Sequence, residues 1–289
     1  MPTMPNLQPD LAKILTITKE IGHNAAKLLR SYYQGTVDNN NLDNLQIQYQ
    51  ENEPVTLADI AVSEYIISQL QAAFGNKDFG YISEETYKQN PHKNPHEWVW
   101  IIDPLDGTRD FINKTGEYAI HIALVKGTSP VLAVVAIPEA EKLYFATKNG
   151  GTFVENKAGI LPLKIKSQAT LEDLTLVVSR SHRNAKLEYL LENLPCKKQL
   201  AIGSVGCKIS AIIESLADVY ISISGKSAPK DWDMAAPELI FTEAGGSFTY
   251  INGEYLRYNT GEINQWETII ASSYQDHHHL CQLARNILF

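Results

Sequence analysis

The run Ile101-Ile102-Asp103-Pro104-Leu105-Asp106-Gly107-Thr108 reads as an apolar strand that ends in two carboxylates three positions apart, then Gly-Thr, then a short helix over 109–112. Such a strand end presents two hard oxygen ligands together, beside the backbone N–H groups of Gly107 and Thr108. Carboxylate and carbonyl oxygens suit Mg²⁺, which demands octahedral geometry and keeps positions for water and substrate phosphate. A helix N-terminus next to them is a natural seat for a phosphate. Taken alone, the same residues also fit an Asp-rich turn that caps a helix, and the run by itself leaves both readings open.

Two other motifs are excluded by spacing. Haloacid-dehalogenase phosphatases set their paired aspartates two positions apart, and here the interval is three. An EF-hand loop needs acids at alternating positions and then a Gly, which this run lacks.

On either side the pattern alternates between helix and strand. Leu11, Ile14, Leu15, Ile21, Ala25, Leu28, Leu29 and Tyr32 follow the spacing of an amphipathic helix. The Asn-rich stretch 38–44 reads as a loop. Thr56-Leu57-Ala58-Asp59 is a helix start in which Asp59 can complete a capping box with Thr56; apolar Ile60, Ile66, Ile67, Leu70 and Phe74 follow. A loop with Pro91 and Pro95 leads into the apolar run 98–102. Stretches 118–126, 131–137 and 143–147 are rich in β-branched residues, and Asn149-Gly150-Gly151 is a turn before another short strand. The polar stretch 166–170 is the expected boundary between an N-terminal half, 1–167, and a C-terminal half, 168–289, packed as one catalytic unit. Beyond it, strands at 174–179 and 219–223 alternate with helices near 208–216 and 234–244. Pro237 falls where a first helical turn tolerates it. Residues 250–255 read as a hairpin and 275–288 as a final helix. Runs of strands mixed with helices predict an α+β layered sandwich.

The 289 residues, 44% hydrophobic and 20% charged, can bury a sizeable core without cross-links. Cys196, Cys207 and Cys281 form no C-x-x-C pair and read as reduced, buried thiols, with Cys207 near a ligand pocket. The first ten residues lack the basic flank and apolar stretch of a signal peptide. No run approaches the ~20 apolar residues of a membrane span. The expectation is a soluble, cytoplasmic monomer or homodimer with no membrane partner. A formal charge of −8 argues against a nucleic-acid polymer as partner. It still permits a small phosphorylated substrate, because bound cations can invert the local field. His277-His278-His279 cannot all face one ion from a helix and are expected to be incidental surface.

More elements stand in order around 101–108. Singly, Glu84-Glu85 reads as a solvated pair, Asp59 as a cap and Asp233 as a helix N-cap. Together the set resembles the inositol-monophosphatase superfamily. D-P-L-D-G-T is similar to its signature, and Tyr81-Ile82-Ser83-Glu84-Glu85-Thr86 to its G/S-E-E element. Trp232-Asp233-Met234-Ala235-Ala236, with Glu243-Ala244-Gly245-Gly246 after it, is similar to W-D-x-A-A, and Val55-Thr56-Leu57-Ala58-Asp59 to V-T-x-x-D. The resemblance implies an α/β/α/β/α sandwich of the sugar-phosphatase type and a Mg²⁺-dependent phosphomonoesterase with two or three ions. Glu84, Asp103 and the Leu105 carbonyl would bind one ion, and Asp103, Asp106 and Asp233 a second. Glu85 would support them or hold a third. The implied catalytic set is Asp59, Thr108 and Glu84, with Thr108 hydrogen-bonded to Asp59 and orienting a metal-activated water, so that no covalent phosphoenzyme forms. Inhibition by Li⁺ is implied as well.

Within the superfamily, Arg109-Asp110-Phe111-Ile112 followed by Gly116-Glu117-Tyr118 resembles the bisphosphate nucleotidase (CysQ-type) branch, as does Ser179-Arg180-Ser181-His182. That branch implies hydrolysis of the 3′-phosphate of 3′-phosphoadenosine 5′-phosphate, a by-product of sulfate assimilation. Gly107, Thr108 and Asp233 would meet the substrate at the reacting phosphate. Arg180, His182, Lys208, Lys226 and Lys230 are the cations available to its second phosphate. Asp231, where the branch has Glu, and the stretch 224–230 depart from the pattern where specificity is set. The alternatives are an inositol monophosphatase or fructose-1,6-bisphosphatase on the same scaffold, and a non-catalytic phosphate or metal binder. The last would lack one of Glu84, Asp106 or Thr108, and all three are present.

Overall fold

A computed structural model describes residues 10–36, 48–50, 53–87, 94–180, 183–196 and 198–289. The stretch 38–44, Pro91, Ser181 and His182 lie outside them. Asp10 opens the first helix, α1 (Leu11–Gln34), by accepting from the N–H groups of Ala12 and Lys13, and Gly35 at φ 68° ends it. Strands β1 (Gln48–Gln50) and β2 (Glu53–Val55) pair with each other. Helix α2 (Leu57–Phe74) starts from the expected box, in which the Thr56 hydroxyl accepts from Ala58 and the Asp59 carboxylate accepts from the Thr56 N–H. Next come β3 (Phe79–Ser83), α3 (Glu84–Tyr87), β4 (Trp98–Asp106), α4 (Thr108–Ile112), β5 (Ala119–Lys126), β6 (Ser129–Ile137), β7 (Lys142–Thr147), β8 (Gly151–Asn156) and β9 (Gly159–Leu163). Strands β3 to β9 form a seven-stranded sheet in chain order.

The remaining elements are β10 (Thr175–Ser179), α5 (Ala185–Asn193), β11 (Lys198–Ile202), α6 (Val205–Ile213), β12 (Val219–Ser222), α7 (Asp231–Glu243), β13 (Ser247–Tyr250), β14 (Ile269–Ser272) and α8 (His277–Leu288). Their strands make a five-stranded sheet ordered β11-β10-β12-β14-β13.

Alternation along the strands assigns the layers. Trp100 and Ile102 of β4 join Leu29 of α1 and Ile66 of α2 in one core. Val99 and Ile101 face the other way, toward Ile209 of α6 and Leu239 of α7. In β10, Val177 belongs to that central core, while Leu176 and Val178 pack with Leu187 of α5 and Leu280 of α8. Helices α6 and α7 therefore lie between two sheets, and the order helix, sheet, helix, sheet, helix is the α+β sandwich expected. No described helix is long and apolar enough to cross a membrane.

Three expectations need correction. The expected hairpin at 250–255 is a tight turn with no second strand, closed by the Gly253 N–H on the Tyr250 carbonyl and the Tyr250 N–H on the Glu254 carbonyl, and β13 pairs instead with the distant β14. Ile269–Ser272 takes that place because all four residues are buried, whereas Glu254 and Tyr255 are exposed. Pro237 lies inside α7, past its first turn, and withdraws the N–H that would reach the Asp233 carbonyl.

The histidine triplet is not uniformly surface. His278 and His279 are exposed, but the His277 ring bridges Ser272 Oγ at 2.7 Å and Thr249 Oγ1 at 2.9 Å. Burial, helped by His278, pushes its pKa from 6.5 down to about 4. The ring is neutral in the fold, while an unfolded chain takes up the proton below 6.5. This contribution to stability is complete above that pH and is lost as pH falls toward 4. Between pH 7 and 4.5, the melting temperature of the wild type should fall by a few degrees more than that of His277→Gln. Parallel curves would dismiss the role.

Candidate active site

Side chains of a regular strand alternate, so Asp103 and Asp106, three positions apart, would point to opposite faces of the sheet. The register removes that conflict. Asp103 lies opposite His121 of β5 and Asp106 opposite Ala119, so three steps along β4 match two along β5. The extra residue is absorbed at Pro104-Leu105, where proline has no N–H for the ladder. The bulge turns both carboxylates to the face covered by α6 and α7, where Asp233 stands in the first turn of α7. One oxygen from each of Asp103, Asp106 and Asp233 lies within 4.8 Å of the others.

Each of these carboxylates is anchored through one oxygen. Asp103 Oδ1 accepts from the Leu105 N–H at 3.0 Å. Asp106 Oδ2 accepts from the Ser204 hydroxyl and, at 3.0 Å, from the Gly206 N–H. Asp233 Oδ2 accepts from the Lys230 N–H at 2.6 Å. That leaves a second oxygen on each to serve a cation. Burial, followed by the charges of Glu84, Asp106 and Asp233, raises the Asp103 carboxyl well above the usual range. Burial and then Asp106 raise Asp233. Asp106 runs the other way: burial would raise it, but His121, Lys208 and the Ser204 hydroxyl prevail and hold it at about 2. Buried acids that repel one another, offering oxygen alone, fit a hard divalent cation.

Gly107 begins α4 at φ 93°, and a Cβ there would come within 3.0 Å of the Glu117 carbonyl. This turn sets the Thr108 hydroxyl 3.3 Å from Asp59 Oδ1 and 3.2 Å from the Leu105 carbonyl. Asp59 Oδ2 is occupied by the N–H and hydroxyl of Thr56. Burial, only partly offset by Thr56 and reinforced by Glu85, raises the Asp59 carboxyl to about 6.

A cavity of about 410 Å³ is lined by Glu84, Asp103, Leu105, Asp106, Gly107, Thr108 and Asp233. Its polar lining also includes Arg109, Arg183, Asn184, Lys208, Lys226 and Lys230, beside apolar Leu187, Ile221 and Ile223. Residues 10–288 match the inositol monophosphatase family. The chain belongs to that family.

The chain is 30% identical over 245 residues to the 3′(2′),5′-bisphosphate nucleotidase CysQ of Aggregatibacter actinomycetemcomitans, which covers 84% of this chain and 86% of that one. It is 32% identical over 216 residues to the protein of the same name from Salmonella typhimurium, covering 74% and 82%. Among solved structures, CysQ of Bacteroides thetaiotaomicron, described as a bacterial member of this family, matches with TM-score 0.71 and 25% identity over 92% of this chain and 98% of that one.

Around the family motifs, the cations sort differently from the sequence expectation. Arg180 does not line the cavity; its guanidinium is held by Asp110 at 2.9 Å and Glu117 at 2.8 Å. Those two acids follow the D-G-T turn closely, and the sequence gives no sign that they claim Arg180. Arg109 and Arg183 are the arginines that line the cavity, and Arg183 also pairs with Glu188. Lys208 is 4% exposed and donates to the Ser204 carbonyl at 2.9 Å, so it lies under the acids as a buried charge. Cys207 is buried as expected, with Sγ toward the Tyr118 carbonyl. Ser204 and His121 touch Asp106 and were not singled out from sequence. The available signals were a Ser ahead of a helical run and one imidazole within an apolar strand.

Proposed function

We infer that this chain is a Mg²⁺-dependent phosphomonoesterase that removes the 3′-phosphate of 3′-phosphoadenosine 5′-phosphate, a cytoplasmic step that clears a by-product of sulfate assimilation. The observation that carries the reading is the three-carboxylate cluster within a cavity that also presents Arg183, Lys226 and Lys230. The substrate choice is supported by the nucleotidase relatives. Asp103, Asp106 and Asp233, with Glu84 and the Leu105 carbonyl, would hold two Mg²⁺, and Glu85 would support a third. Bound Mg²⁺ supplies positive charge against the phosphate and lowers the pKa of water.

The remaining work falls to the chain. Asp59, held by Thr56, fixes the Thr108 hydroxyl with its proton toward Oδ1, so the Thr108 oxygen is free to accept from the attacking water. The N–H groups of Gly107 and Thr108 face the reacting phosphate. Arg183, Lys226 and Lys230 counter the second phosphate, with Arg183 taking the part expected of Arg180. Both halves of the chain are needed at once, because Asp103 and Asp106 come from one and Asp233 from the other.

Phosphate release with Mg²⁺ should favour 3′-phosphoadenosine 5′-phosphate over inositol 1-phosphate and fructose 1,6-bisphosphate by about a hundredfold in kcat/KM, ~2.7 kcal/mol. A preference for either competitor would overturn the substrate and keep the hydrolase. No release from any of the three would sink the enzymatic reading.

A further inference from the structure

His121 is 0% exposed and is the imidazole placed inside the sheet directly behind the acid cluster. Its Nε2 lies 3.2 Å from Asp106 Oδ2, off the line of a well-formed hydrogen bond and with no other partner among the described residues. Its Nδ1 lies 3.3 Å from the Trp232 carbonyl, one residue before Asp233. The ring therefore spans β5, the bulged end of β4 and the first turn of α7. Its berth is made for it: a Cβ on Gly206 would fall 2.5 Å from Nε2 and 2.9 Å from Ala119 Cβ. Gly206 in turn gives its N–H to the same Asp106 oxygen that faces the ring. The third group on that oxygen is Ser204, which is held at φ 53°. A non-glycine residue at positive φ is a strained backbone that its surroundings must impose.

We propose that His121 is a positioning residue that fixes Asp106 relative to the Trp232-Asp233 turn and thereby sets the affinity of the carboxylate cluster for its divalent cation. This rests on the reading of Asp103, Asp106 and Asp233 as a cation site. The physical reason is that two ligands come from a strand and one from a helix of another layer. Nothing in either element alone holds their separation. A ring wedged between the Asp106 carboxylate and the backbone carbonyl beside Asp233 does so, without touching substrate or cation. Groups that orient metal-ligating side chains typically change metal affinity 10–100-fold when removed.

The test uses the full-length, metal-stripped protein and Mn²⁺ alone, titrated calorimetrically, with melting temperature and circular dichroism measured alongside. His121→Gln carries an amide nitrogen near the position of Nε2, and His121→Asn carries one near Nδ1. His121→Ala should weaken Mn²⁺ binding ~10–100-fold, and His121→Gln should recover most of that loss while His121→Asn recovers less. If the alanine variant does not fold, the Gln and Asn pair decides alone. Overturning results are Mn²⁺ affinities within twofold of wild type in the folded variants, or losses that are equal in Gln and Asn and follow the fall in melting temperature. Absence of Mn²⁺ binding by the wild type would instead remove the cation-site reading on which the proposal stands.

Discussion

Asp103→Asn should reduce kcat by ~10⁴, about 5.5 kcal/mol of transition-state stabilisation, and leave the metal-free fold at least as stable as the wild type. Asp103 is 1% exposed and is opposed by burial and by Glu84, Asp106 and Asp233. An ionised carboxylate there is costly until a cation neutralises it. Asparagine has the same shape, its oxygen can keep the Leu105 N–H, and it brings no charge into the cluster. The apo melting temperature should therefore hold or rise. The gain on adding Mg²⁺ should disappear, although ligand at a hundred times its dissociation constant stabilises a folded protein by about 2.7 kcal/mol. This pairing of results separates a ligand from a mere packing residue, which would lose stability in the apo form. Residual kcat above about one per cent at saturating Mg²⁺ would sink the assignment.

What could be read from the chain, and what could not, follows from how local each signal is. The α1 stripe, the Thr56 cap and the apolar run into Asp103 are set by neighbours within a few residues, and the structure has them where they were expected. The α+β layering followed from runs of strands mixed with helices, and its five-layer form came through a resemblance carried by short motifs, each local in the same sense. The bulge at Pro104-Leu105 is different. D-P-L-D places two acids three apart, and only pairing with β5 reveals that they share a face. Strand β11 was missed because it is an edge strand whose residues are half-buried or exposed, so it lacks an apolar run. The pairing of Arg180 was not legible for a related reason: Asp110 and Glu117, its partners, are more than 60 residues away, and charge complementarity at that distance leaves no pattern in sequence. Ser204 and His121 likewise acquire meaning only when α6 and β5 close around Asp106.

Asp59→Asn should cost ~10²–10³ in kcat, within the range for loss of a positioned acid–base group, with little change in stability. The orientation of the introduced amide decides the effect. The Thr56 N–H and hydroxyl both donate to Asp59 Oδ2, so the single amide oxygen of asparagine is drawn to them. The –NH₂ group then faces Thr108, 3.3 Å away in the wild type, and reverses that hydrogen bond. Thr108 must accept from the introduced amide and turn its own proton to the Leu105 carbonyl, already 3.2 Å distant. Its oxygen is then engaged, and the attacking water has no acceptor in the line Asp59 provides. The cap of α2 survives, because the oxygen it needs is still present. A second signature comes from pH. Burial raises the Asp59 carboxyl to about 6, and only its ionised form accepts from Thr108. Wild-type kcat/KM should therefore fall as pH drops through about 6, or somewhat lower once bound cations favour the carboxylate, while Asp59→Asn shows no such limb. Thr108→Val should be as slow as Asp59→Asn, and the double variant no slower than either, because the two side chains act as one unit. Activity of Asp59→Asn within tenfold of wild type, or a double variant slower by the product of the single losses, would break that unit apart.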